Sequence, residues 1–164
     1  MPANIRIIGV GNEFRRDDGI GLAAARRLRE MRLPGVMVLE KTGDAGELWE
    51  LWQDRRPAII IDAMHSGAPP GTVRRFDAAG EPLPAAFFHH PSTHSWGVAE
   101  SIELARTLGQ LPATLIVYGV EGKIFAPGVG LSLEGQHALP RLVEQIQQDL
   151  HKSAATAEAV AALT

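Results

Sequence analysis

Three residues far apart in the chain combine the side-chain types that hold a divalent cation. They are Asp18, which follows Asp17 and precedes Gly19; Asp62, which ends the apolar run Ala58-Ile59-Ile60-Ile61; and His94, just ahead of Ser95-Trp96-Gly97. Two carboxylates and one imidazole form an oxygen and nitrogen set suited to nickel, zinc, iron or manganese. Three protein ligands also leave room for a group brought by the substrate. The chain contains no cysteine, which excludes disulfides, a thiol nucleophile and a thiolate metal site. Neither H-E-x-x-H nor G-x-S-x-G occurs, so zincin and α/β-hydrolase chemistries lack their signatures. Each position also has a structural alternative. Asp17 or Asp18 could cap a following helix, worth about 1 kcal/mol, although a cap occupies only one of the two. Asp62 could cap a turn, and His94 could be an N-cap or a hydrogen-bonded core residue. His65 is a further candidate, whereas His89-His90 lies in a proline-rich stretch and reads as solvated.

Positioning such residues falls to the elements around them. Ile5, Ile7, Ile8 and Val10 form a mostly β-branched run suited to a strand covered on both faces, and Gly9 and Gly11 then let the chain turn. Ile20, Ala24, Leu28 and Met31 recur on one helical face, which predicts a helix whose first turn carries Asp17 and Asp18. A third glycine is missing where Phe14 stands, and two aspartates would repel a pyrophosphate, so a dinucleotide site is disfavoured. Further strands are expected at Val36–Leu39, Ala58–Asp62 and Thr114–Val120, with an edge strand at 72–76. Helices are expected over 47–54, after His94, and over 139–150, where Pro140 must sit in the first turn or kink the helix. Residues 80–91 read as a functional or partly mobile loop. Strands alternating with helices predict a three-layer α/β/α domain with a mainly parallel, twisted sheet of about five strands and right-handed crossovers. In such a fold Asp18, Asp62 and His94 can meet at the carboxyl edge of the sheet, where open α/β folds bind ligands.

A chain of 164 residues with 45% hydrophobic and 21% charged content suits a single domain with a real core. The expected domain spans 1–152, and the alanine-rich segment 153–164 is expected to be a flexible tail. A net charge of −3 and a pI near 6.1 supply no basic field for nucleic acid. No run approaches the roughly 18 apolar residues that span a bilayer, and Met1–Asn4 is too short for a secretory signal. A cytoplasmic monomer with neither nucleic-acid nor membrane partners is expected.

Gly9-Val10-Gly11-Asn12 with Asp17-Asp18-Gly19-Ile20-Gly21, then Ile60-Ile61-Asp62-Ala63 with Pro70-Gly71-Thr72, then His94-Ser95-Trp96-Gly97, resembles the family of [NiFe]-hydrogenase maturation endopeptidases over roughly residues 5–146. The resemblance implies an enzyme that removes a C-terminal extension from the hydrogenase large-subunit precursor after nickel insertion. It carries the family's metal-binding positions onto Asp18, Asp62 and His94, which are also the candidate catalytic residues. Nickel would be supplied by the loaded precursor, so no tightly bound cofactor is expected, and whether one of the three is also a general base is left open. Asp44 departs from the threonine usual in the family's second glycine loop; it is read first as a solvated loop charge, with a fourth ligand or a partner orienting His94 as alternatives. Glu121 is a second candidate of that kind. Two rival readings are a non-hydrolytic nickel-sensing or chaperone module and a peptidyl-tRNA hydrolase-like enzyme. The second is disfavoured because Glu13, not proline, follows Asn12 and no His-Asn pair occurs.

Overall fold

The computed structural model describes residues 5–88 and 97–163. Five strands form one sheet: β1 Ile5–Val10, β2 Val36–Lys41, β3 Ala58–Met64, β4 Val73–Asp77 and β5 Leu115–Glu121. Their order is β2-β1-β3-β5-β4. Only β4 runs antiparallel, pairing with β5. It is the edge strand expected near residues 72–76, short and charged as edge strands are. The sheet is therefore mixed and mostly parallel.

Side chains alternate across the pleat, so each inner strand supplies both faces. Ile8, Ile60, Met64 and Val117 pack under α2 (Ala45–Leu51) and α3 (Val98–Thr107), together with Leu48, Trp52 and Ile102. A buried bond from Trp52 Nε1 to Ser101 Oγ, 3.2 Å, ties those two helices together. Ile7, Ile61 and Tyr118 pack on the opposite face under α1 (Ile20–Glu30) and α4 (Leu133–Ala162), against Leu28, Leu142 and Ile146.

Several boundaries differ from expectation for local reasons. Asp17 and Asp18 do not lie in the first turn of α1 but in a 3₁₀ turn over Arg16–Gly19 that precedes it. Gly9 does not serve the turn either: it lies in β1, where a Cβ would sit 2.3 Å from Gly21 O. Pro140 lies inside α4 rather than in its first turn, at the cost of one rung of the hydrogen-bond ladder. The helix starts earlier because Ser132 caps it, its Oγ accepting from Gly135 N–H at 3.2 Å. Residues from Ser153 to Ala162, where a flexible tail is expected, continue α4. Alanine has the best helical propensity, and extending an existing helix avoids the cost of nucleation.

Helix α1 lies so close to the sheet that a Cβ at Gly21 would come within 2.3 Å of Ile61 O and 2.5 Å of Val10 O. Both obstacles are backbone atoms of β3 and β1 and cannot rotate away. Gly21→Ala is therefore expected to destabilise the fold by about 1–3 kcal/mol despite alanine's better helix propensity, as measured by urea unfolding. An unchanged midpoint would mean that α1 can lift off the sheet without loss.

Candidate active site at the carboxyl edge of the sheet

From β1 the chain first moves outward to β2 and then returns to form β3 on the other side of β1. The carboxyl ends of β1 and β3 thus form the topological switch point, where the two following connections diverge and leave a crevice. The ladder between these strands runs only to the Gly9–Ile61 pair. Asp62 is the next residue of β3, at the point where the strands part, and it lies on the α2/α3 side by alternation with Ile60 and Met64. Asp18 enters the same crevice from the 3₁₀ turn after β1. A cleft of about 830 Å³ opens there, lined by both aspartates and by Asp44, His65, Phe88 and Phe125 among others.

The loop that carries Asp18 is built by the motif around it. Asn12 N–H donates to Asp18 Oδ2 at 3.0 Å, and Asn12 Oδ1 accepts from Phe14 N–H at 2.9 Å. Asp18 N–H donates to Arg15 O at 3.1 Å. Asp62 is only 4% exposed. Burial pushes its carboxyl well above the ordinary 3.8, the negative charge of Asp18 pushes it further, and a bond from Ala63 N–H offsets part of the rise. A buried carboxylate raised by a neighbouring carboxylate is a site where an added cation relieves both penalties.

Asp17 has a different task, which sequence reasoning missed. It is 1% exposed. Its Oδ2 accepts from Lys123 N–H at 2.8 Å, Ile124 N–H at 3.1 Å and Ser132 Oγ at 2.7 Å; its Oδ1 accepts from Ser132 N–H at 2.8 Å. Burial alone would raise this carboxyl, but those donors together outweigh it and hold the group below 3.8. Neither aspartate caps α1, which has no side-chain cap bond. One buckles the 123–132 loop onto the turn after β1, and the other faces the cleft. The available signal was the Ser132 start of α4, which needed a partner elsewhere in the chain.

Of the remaining candidates, Asp44 lines the cleft and also caps α2, its Oδ1 accepting from Gly46 N–H at 2.7 Å. Glu121 is buried and turned into the loop after β3, accepting from Ser66 N–H at 3.0 Å and Gly67 N–H at 3.2 Å. It holds that loop and does not line the cleft. His65 does line it, with its ring stacked on Phe125 at 5.6 Å. His94, His89 and His90 lie outside the described residues. Gly97, three residues past His94, lines the cleft, and its N–H donates to Glu100 Oε2 at 3.0 Å at the start of α3. Among the described residues no group of three potential metal ligands is assembled. No helix among them is long and apolar enough to cross a membrane.

Fold and site together define a mostly parallel, three-layer α/β protein with an acidic cleft at the switch point of its sheet. The chain belongs to the hydrogenase maturation protease family (HycI), whose pattern it matches over residues 23–149. It is accordingly a peptidase, a hydrolase. It is 30% identical over 152 residues to the hydrogenase 2 maturation protease of Escherichia coli strain K12, covering 91% of this chain and 92% of that one. It is also 27% identical to a putative hydrogenase maturation protease of Methanocaldococcus jannaschii, over 91% of this chain and 97% of that one. Among solved structures it resembles the hydrogenase maturating endopeptidase HybD of E. coli, with a TM-score of 0.77, 28% identity and coverage of 93% and 94% of the two chains.

Proposed function

We propose that this peptidase removes the C-terminal extension of a [NiFe]-hydrogenase large-subunit precursor and that nickel already installed in the precursor is its recognition element. The observation that carries the reading is the buried Asp62 carboxyl in the cleft, raised by burial and by the adjacent charge of Asp18. That pair is arranged to receive a cation. Nickel on the substrate would relieve the mutual repulsion only when it is present, so affinity depends on the metal state of the precursor. His94 completes the set in this reading, as the third ligand position that the family resemblance implies.

Asp18, Asp62 and His94 then act by holding the nickel, and with it the scissile bond, in one position. The precursor's nickel, held by these residues, would supply polarisation of the peptide carbonyl or of the attacking water. Hydrolysis adds water to the carbonyl carbon and breaks the C–N bond, and the leaving amine takes up the proton that the water gives up. A monomeric, cytoplasmic enzyme without a resident metal belongs to the same reading.

The test is to mix chelator-treated enzyme with nickel-loaded and nickel-free precursor in parallel and weigh the products by mass spectrometry. Release of the C-terminal peptide is expected from the loaded precursor alone. Equal cleavage of both would overturn metal recognition in favour of an ordinary carboxylate-assisted protease. Binding of the loaded precursor without peptide release would point to a nickel-sensing module.

A further inference from the structure

Large apolar side chains stand in solvent at Phe14 on the cleft wall and along the segment from Val129 to Leu133, which the backbone bonds of Gly128 join to it. Phe14 is 64% exposed, Val129 75% and Leu133 62%. Phe14 lines the cleft itself, as do Phe125 and Ala126 from the loop that leads to Val129. The two segments are joined through their backbones: Gly128 N–H donates to Phe14 O at 2.8 Å, and Arg16 N–H donates to Gly128 O at 3.1 Å. Arg16 Nε reaches past Val129 to Gly130 O at 2.5 Å. Val129 stands between Gly128 and Gly130, whose φ angles of 150° and 95° suit glycine, so the turn presents valine at its tip. Beneath it the buried Asp17 carboxylate anchors both ends of the loop, at Lys123–Ile124 and at Ser132, the residue before Leu133. The apolar groups are thus exposed on backbone already fixed by hydrogen bonds, which lowers the ordering cost of covering them.

We propose that Phe14, Val129 and Leu133 form a docking rim for the folded body of the protein whose C-terminal extension enters the cleft. The proposal rests on the hydrolytic reading above and adds the surface by which the substrate is engaged. A cleft of about 830 Å³ has the volume of a small-molecule site and receives only a short peptide. Stable recognition of a folded protein takes about 800 Å² from each partner, so surface outside the mouth must take part. The apolar rim is continuous with the cleft through Phe14 and is already rigid. Its complement is an apolar collar around the point where the extension leaves the precursor.

The experiment uses the full chain carrying Val129→Asp together with Leu133→Asp. An acid at the first residue of α4 favours the helix, and neither position is buried, so the melting temperature should match that of the wild type. With nickel-loaded precursor, KM should rise about tenfold or more while kcat at saturation holds, and Val129→Ile with Leu133→Met should keep the wild-type KM. The same pair placed in Asp62→Asn enzyme should weaken precursor binding in a titration by a similar factor, a readout that needs no cleavage. Wild-type KM and binding in the Asp pair would overturn the rim. So would sedimentation showing that the rim holds two copies of this chain together while precursor binding is unaffected. If wild-type enzyme releases no peptide but the rim variants still lose binding, the hydrolytic reading fails and the docking surface stands.

Discussion

Asp62→Asn is expected to stop processing of the precursor while raising the melting temperature. The loss of rate should be about 10²–10⁴-fold, the contribution of one positioned carboxyl to a transition state. The gain in stability follows from the site's own electrostatics. Burial, and then the charge of Asp18, raise the folded-state pKa of Asp62 above its ordinary 3.8, so the native protein holds this proton more tightly than the unfolded chain does. Stability then falls as pH rises from about 3.8 through the raised value, and the penalty is complete above it. Asparagine keeps the shape, can accept from Ala63 N–H and carries no charge at any pH. The variant should therefore equal the wild type below pH 3.8 and exceed it by about 0.5–2 kcal/mol at neutral pH. Urea titrations across that range read the difference directly. A variant that melts far below the wild type at neutral pH would make Asp62 a structural residue instead.

The neighbouring aspartate should behave in the opposite way. In Asp17→Asn an amide N–H₂ must face one of the buried donors that now meet the two carboxylate oxygens. A loss of about 2–4 kcal/mol is expected at neutral pH, since a buried donor without an acceptor costs its desolvation. The sign with pH is reversed as well. The hydrogen bonds outweigh burial and hold the folded-state pKa below 3.8, so the stabilisation is present above 3.8 and is lost as pH falls through the lowered value. The gap between wild type and variant should thus close in acid, whereas the Asp62 gap opens toward neutrality. Two adjacent-looking carboxylates give opposite stability profiles because one is surrounded by donors and the other by apolar surface and a like charge. Equal stability of Asp17→Asn and wild type at neutral pH would mean that the 123–132 loop is held by other contacts.

Local patterns in the chain determined a good deal about this protein. The β-branched run at Ile5–Val10 and the isoleucines before Asp62 could be buried only as inner parallel strands, and the helical period of α1 could be covered only by a sheet face. Those constraints pointed to the layered fold, an edge strand near residues 72–76 and the placement of Asp18 and Asp62 at one edge, because residues just past or ending parallel strands share that edge. The antiparallel direction of β4 came only from its pairing with β5. Three blocks in order, Gly9 to Gly21, Ile60 to Ala63 with Pro70 to Thr72, and His94 to Gly97, carried the resemblance to the family. Tertiary structure alone decided which aspartate does what. Asp17 and Asp18 are neighbours of identical chemistry, and only the approach of Lys123, Ile124 and Ser132, more than a hundred residues away, turns the first into a buried tether and leaves the second to the cleft. Glu121 was drawn out of the list of possible ligands in the same way, by backbone N–H groups of the turn at Ser66 and Gly67. The start of α4 at Leu133 and the rigid apolar rim at Val129 depend on that same tether, since a hydrogen bond between distant segments leaves no periodicity in either one.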